Sequence, residues 1–167
     1  MATIFLDMDG VVADFDAYAE PIVGYKSPGG HRYNDEDWQK ISVNPRLYSI
    51  LPKCPDADRL VKEVQELAKQ HKMSVGFLSA IPKENNLPWV FWDKMHWIQK
   101  YYPGIPLFMG PYSRDKQHHY TPGDILIDDR VSNIEEWRAV GGQAILHEGD
   151  VIATLFELRS LVNSPIS

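Results

Sequence analysis

The chain has 167 residues, and 17 Lys+Arg against 23 Asp+Glu give a formal net charge of −6. That length suits one domain whose core needs no covalent staples, and 44% hydrophobic with 24% charged residues excludes a disordered chain. A single Cys excludes an internal disulfide, and the negative balance lacks the bulk positive field of a non-specific nucleic-acid binder.

Met1 to Asp7 has no basic region and only a three-residue apolar stretch, so no signal peptide is expected. No segment approaches the roughly 20 apolar residues of a spanning helix. The expectation is a cytoplasmic protein with no membrane partner. In chain order, residues 3–6 read as a buried strand that stops at Asp7-Met8-Asp9-Gly10. Residues 15–55 are rich in Gly and Pro, show weak periodicity, and read as a small cap insertion over the same end of the sheet. Residues 56–72 form a helix with Leu60, Val64, Leu67 and His71 on one stripe, capped by Asp56 or Asp58.

Residues 73–78 predict a second strand, ending at Ser79. An aromatic-rich helix follows over 88–102, closed by Pro103-Gly104, then a short strand over 105–109. Residues 124–127 predict a fourth strand ending in Asp128-Asp129. A helix over 132–140 has Ser132 and Glu135 in capping-box spacing and Gly141-Gly142 at its end. A strand over 143–146 and a helix over 151–162 complete the chain. Strands separated by helices imply an α/β domain with a mostly parallel sheet. The predicted core is 1–14 with 56–167, and 15–55 is the cap.

Three predicted strands end in polar residues, and parallel sheets bind ligands at their carboxyl ends. Asp7 and Asp9 flank one residue, and Gly10 permits a sharp turn. Asp128 and Asp129 add two carboxylates nearby. Clustered carboxylates repel unless a cation intervenes, and oxygen-rich clusters suit Mg²⁺. Carboxylates, a hydroxyl and a Lys around Mg²⁺ are the parts for phosphoryl transfer. Asp14 reads as a local cap. Trp89, Trp92, Met95 and Trp97 read as core or a protein contact. His118 and His119 read as surface residues, because adjacent His without Cys make no convincing zinc site. Cys54 has no partner and no assigned role. Arg130 either orients the acidic pair or lies on the surface.

These residues carry a resemblance. Ile-Phe-Leu-Asp-Met-Asp-Gly-Val-Val-Ala-Asp (4–14) resembles motif I of the haloacid dehalogenase superfamily of phosphatases, and Ser79 resembles its motif II hydroxyl. Lys116 in Ser-Arg-Asp-Lys resembles motif III, and Ile-Leu-Ile-Asp-Asp-Arg (125–130) resembles motif IV. Within the superfamily, the chain is most similar to the 5'(3')-deoxyribonucleotidase family. That resemblance implies a Rossmann-like parallel sheet and hydrolysis of nucleoside monophosphates through an aspartyl-phosphate. It implies Asp7 as nucleophile, Asp9 as general acid and base, and Ser79 and Lys116 as phosphate ligands. It also implies Mg²⁺ on Asp7, the Asp9 carbonyl, Asp129 and Asp128, with Asp129 favoured as the direct ligand. Trp38, Leu47 and Tyr48 fall where the family places hydrophobic groups around the base. After Ser79 the chain reads Ala80-Ile81-Pro82, whereas the family tends to place Pro sooner.

The implied partner is a small nucleotide, with no stable nucleic-acid binding, and the chain is a monomer or homodimer. Two alternatives remain open. Asp-Asp-Arg followed by Trp137-Arg138 also resembles the phosphatase half of polynucleotide kinase–phosphatases, which implies a polynucleotide 3'-phosphatase. A receiver-type phospho-acceptor module uses similar groups, but it places its paired acids first and its acceptor on a middle strand, unlike this chain.

Overall fold

The computed structural model describes residues 1–28, 32–82 and 87–164. Gly29 and Gly30 of the Gly- and Pro-rich insertion lie outside these residues. The apolar run Thr3–Leu6 forms β1. Two short helices follow, α1 (Phe15–Val23) and α2 (Asp35–Ile41). The long amphipathic stretch becomes α3 (Ala57–Gln70), and β2 is Ser74–Ser79. After α4 (Val90–Tyr101) and β3 (Leu107–Met109), a 3₁₀ turn covers Ser113–His119. The chain ends in β4 (Ile125–Asp128), α5 (Val131–Ala139), β5 (Gln143–Leu146) and α6 (Val151–Asn163).

The five strands are all parallel, in the order β3-β2-β1-β4-β5. The chain winds outward from β1 to β3, then returns to place β4 on the other side of β1. The topological switch therefore lies between β1 and β4, where an open α/β sheet forms its crevice. Register fixes what meets there. Leu6 pairs with both Phe77 and Ile127. The next residues, Asp7 and Asp128, therefore emerge side by side, and the Asp7 N–H still donates to the Ile127 carbonyl at 2.9 Å.

Strand alternation divides the core. Ile4, Leu6, Phe77, Ile125, Ile127 and Ile145 pack on the side of α3, α4 and α6. Phe5, Leu78, Leu126 and Ala144 face the other way, against Ile134 and Trp137 of α5. The stripe of α3 is buried at Leu60, Val61, Val64, Leu67 and Ala68, at the predicted spacing.

Two capping expectations differ from the structure. Asp56 occupies the N-cap of α3 in a left-handed conformation, φ 59°, and its side chain makes no cap bond. Asp58 does not cap either, because it accepts from Lys53 Nζ and Tyr102 Oη. The Ser132–Glu135 capping box is also absent. α5 begins one residue earlier, with Arg130 at the N-cap. The Arg130 N–H donates to Asp128 Oδ1, and Asn133 Nδ2 donates to Asp128 Oδ2, so a carboxylate at the strand end takes over the first turn.

The segment 15–55 holds more order than its periodicity predicts. Asp14 caps α1 by accepting from the Ala17 N–H, and Asn34 caps α2 by accepting from the Asp37 N–H. Its two ends lie together. Asp14 N donates to the Pro52 carbonyl and Cys54 N donates to the Val12 carbonyl, both at 2.8 Å. The segment before the return is tied to α4 by an Arg46–Asp93 ion pair and by Trp97 Nε1 donating to the Leu51 carbonyl.

The turn after α5 is tight. A Cβ at Gly142 would lie 2.3 Å from the Trp137 indole, which is itself fully buried. Gly142→Ala is expected to lower stability by about 1–3 kcal/mol through overpacking, read as an earlier urea midpoint at unchanged slope.

Candidate active site

The loop after β1 is built to present two carboxylates. The N–H groups of Val11, Val12 and Ala13 all donate to the Met8 carbonyl, and Gly10 takes φ 81°, a left-handed value that glycine adopts without penalty. Met8 turns into the core while Asp7 and Asp9 line a cleft of about 1030 Å³. Lys116 enters the same cleft from the 3₁₀ turn, and Ser79 stands fully buried at the end of β2.

Lys116 Nζ bridges two strand ends. It donates to Asp7 Oδ1 and to Asp128 Oδ2, both at 2.7 Å. All three groups are buried. An ammonium has three donors, so one N–H remains for a ligand. Burial pulls the Lys116 ammonium down, but the Asp128 and Asp7 carboxylates outweigh it and push its pKa up. Asp7 is pushed up to about 6, by burial first, against the pull of Lys116 and with repulsion from Asp129 and Asp9. Asp128 is also raised, by burial and then by Asp7.

Asp7, Asp128 and Asp129 each offer a carboxylate oxygen within 4.8 Å of the others. Hard oxygens this close, around a carboxyl group whose charge is disfavoured, fit a divalent cation such as Mg²⁺. The members differ. The Asp128 carboxylate already accepts from Lys116, Asn133 and the Arg130 N–H. The Asp9 side chain stands outside this cluster and is held by a different residue, Lys94.

Lys94 was not predicted from sequence. Its Nζ lies 2.7 Å from Asp9 Oδ2, 2.8 Å from Ser79 Oγ and 2.8 Å from the Ala80 carbonyl. The signal was present. Val90, Asp93, Lys94, Trp97 and Ile98 are the buried positions of α4, and two charged residues inside a helical apolar stripe call for buried partners. Asn133 was also missed. It accepts from Ser113 Oγ and donates to Asp128, tying the 3₁₀ turn to β4.

The cleft wall is aromatic. Phe15, Tyr33, Trp38 and Tyr48 line it. Tyr48 lies under Lys94 Nζ at 4.7 Å, and burial and Asp9 push its phenol well up. Leu47 differs from expectation: it is fully buried in the core and does not line the cleft. The rim is basic. Arg32, Arg114 and Arg130 line the cleft, and none has a carboxylate partner among the described residues. His119 is half-buried rather than on the surface, with Nε2 2.8 Å from the Met109 carbonyl. Trp97 is core, whereas Trp89 and Trp92 are exposed. Among the described residues, no helix is long and apolar enough to cross a membrane.

Residues 1–152 match the family described as 5' nucleotidase, deoxy (pyrimidine), cytosolic type C protein. No curated protein matches the chain in sequence. Among solved structures, the chain is similar to a HAD hydrolase, family IA, variant 3, from Entamoeba histolytica, at 16% identity and TM-score 0.45, over 90% of this chain and 85% of that one. It is also similar to a hydrolase from Streptococcus pneumoniae, at 11% identity and TM-score 0.49, over 97% and 98%.

Proposed function

The chain belongs to the 5' nucleotidase, deoxy (pyrimidine), cytosolic type C family, and on that premise we propose that it is a Mg²⁺-dependent phosphomonoesterase of nucleoside monophosphates. The family makes it a phosphatase of the haloacid dehalogenase superfamily; the cation, the covalent intermediate and the substrate are our reading. The observation that carries it is the Asp7–Lys116–Asp128 bridge at the switch point, beside Asp9 and beneath an aromatic wall.

Asp7 is the nucleophile. Its Oδ1 is held by Lys116, which leaves Oδ2 to attack phosphorus. As that bond forms, the P–O bond to the nucleoside breaks, and Asp9 gives a proton to the departing oxygen. Asp9 then takes a proton from water, whose oxygen attacks the aspartyl-phosphate and regenerates Asp7. The remaining N–H of Lys116 and the Ser79 hydroxyl bind phosphoryl oxygens. Asp7, the Asp9 carbonyl and Asp129 hold Mg²⁺, with Asp128 in support because its oxygens are already engaged. When bound, the cation supplies positive charge against the phosphate anion.

Residues 15–55 serve as the cap. Support comes from the paired backbone bonds at its two ends, which make one neck. Trp38 and Tyr48 face the nucleobase, and Arg32, Arg114 and Arg130 draw the anion in. A mononucleotide suits a cleft of about 1030 Å³, at the upper end of small-ligand sites.

The test is phosphate release across deoxy- and ribonucleoside 5'- and 3'-monophosphates, with sugar phosphates and a 3'-phosphorylated oligonucleotide beside them. Release is expected from deoxypyrimidine nucleotides first, lost in EDTA and restored by excess Mg²⁺. No release from any mononucleotide, or preference for the oligonucleotide, would overturn the reading.

A further inference from the structure

We propose that Lys94 is a positioning residue that sets the orientation of both Asp9 and the Ser79 hydroxyl; the inference rests on the nucleotidase reading above. Lysine is almost never fully buried without partners, and Lys94 is 1% exposed. Its ammonium has three N–H donors. All three are engaged, by Asp9 Oδ2, Ser79 Oγ and the Ala80 carbonyl oxygen. Lys94 therefore has nothing left to offer a phosphate. This separates it from Lys116, which keeps one donor.

Donor counting then fixes two neighbours. An ammonium can only donate, so Asp9 Oδ2 must face Lys94 as an acceptor. The other oxygen, Oδ1, is buried without a hydrogen-bond partner among the described residues, and it is the one left to hold and deliver a proton. Ser79 Oγ accepts from Lys94. Its own hydrogen is thereby turned away from Lys94 and kept for another acceptor, which a phosphoryl oxygen supplies.

Lys94 is itself held on several sides. Tyr48 covers the ammonium with its ring at 4.7 Å. The preceding residue, Asp93, receives the Arg46 guanidinium through both carboxylate oxygens. One turn on, Trp97 Nε1 donates to the Leu51 carbonyl. These bonds lock α4 to the segment that carries Tyr48, so the ammonium has one seat.

In the proposed step, Asp7 Oδ2 forms a bond to phosphorus, the P–O bond to the leaving alkoxide breaks, and the Asp9 proton passes to that alkoxide. A nucleoside alkoxide needs this proton. A nitrophenolate leaves without one. Lys94→Met is therefore assayed on thymidine 5'-monophosphate and on 4-nitrophenyl phosphate, with Lys94→Arg beside it. For Lys94→Met, kcat/KM on the nucleotide, which reads the steps through phosphoryl transfer to Asp7 and not the later water attack that both esters share, is expected to fall about 100-fold, the range of a misplaced general acid. On 4-nitrophenyl phosphate it falls less than about tenfold, reflecting only the disturbed Ser79 hydroxyl. Lys94→Arg, which keeps a donor toward Asp9, recovers much of the nucleotide rate.

Equal losses on the two esters would overturn the proposal and make Lys94 a packing residue, and so would no loss on either. If Lys94→Met does not fold, the same ratio in Lys94→Gln, whose amide is one atom shorter and cannot keep all three contacts of the ammonium, decides in its place. Failure of the nucleotidase reading looks different. The unaltered protein would then cleave 4-nitrophenyl phosphate but no nucleotide, and glycerol 2-phosphate would serve as the alkyl ester for the same comparison.

Discussion

Asp7→Asn should abolish turnover, by about 10⁴-fold or more, the scale of removing a nucleophile, and yet make the metal-free protein more stable at pH 7.5. An amide oxygen is a poor nucleophile, so no aspartyl-phosphate forms. The stability gain follows from burial. Asp7 is pushed up to about 6 in the folded chain, from 3.8, chiefly by desolvation. A carboxyl group raised on folding contributes fully to stability below its unfolded pKa, and that contribution is lost as pH rises through the folded value. The metal-free protein should therefore weaken between about pH 4 and pH 6. Asp7→Asn removes this loss, for a gain on the order of 1–3 kcal/mol above pH 6, reduced because Lys116 gives up one partner. Below pH 4 the difference shrinks. Mg²⁺ should reverse the order, because it stabilises only a chain that can hold it. Thermal midpoints at pH 4, 6 and 7.5, with EDTA or with Mg²⁺, check each part. Wild-type turnover in the Asp7→Asn variant would remove Asp7 as nucleophile.

What made Asp7 legible in the sequence is that strand ends are local. A buried run of Val, Ile, Leu and Phe that stops at a polar residue announces both a strand and its exit: β1 and β4 stop at Asp, and β2 stops at Ser79. Register then brings Asp7 and Asp128 together because Leu6 pairs with Ile127. Lys94 was hidden for the opposite reason. Its partner Asp9 is 85 residues away, and the aromatic residues around it dominate the pattern of α4. The capping box at Ser132 failed through a similar tertiary effect: Asp128, held by Lys116, supplies the cap from the strand before. In the insertion, Pro21 and neighbouring glycines blur helical periodicity. The local caps Asp14 and Asn34 nevertheless start two helices. Leu47 was placed beside the base by position alone, but its side chain fills the core.

Lys116→Met should be the most damaging single change to the fold of the site. Lys116 is the cation between two buried carboxylates, each at 2.7 Å. Without it, Asp7 and Asp128 face each other with Asp129 close by. Breaking a buried pair costs about 3–5 kcal/mol, mostly from the charge left uncompensated. Adding Asp128→Asn removes one of the repelling charges, so the double variant should be more stable than Lys116→Met alone. The two substitutions should thus couple by about 1–3 kcal/mol in a double-mutant cycle. Activity should behave differently. The Lys116 N–H that the proposed mechanism offers to the phosphoryl group is not replaced by Asn, so the double variant should stay about 10²–10³-fold or more below wild type. Recovery of stability without recovery of turnover separates the observed task of this lysine, holding the acidic pair, from its proposed one, binding the phosphate. Additive stability losses would mean that the bridge between β1 and β4 does not couple the two acids, and joint recovery of turnover would mean that Lys116 acts only through the fold.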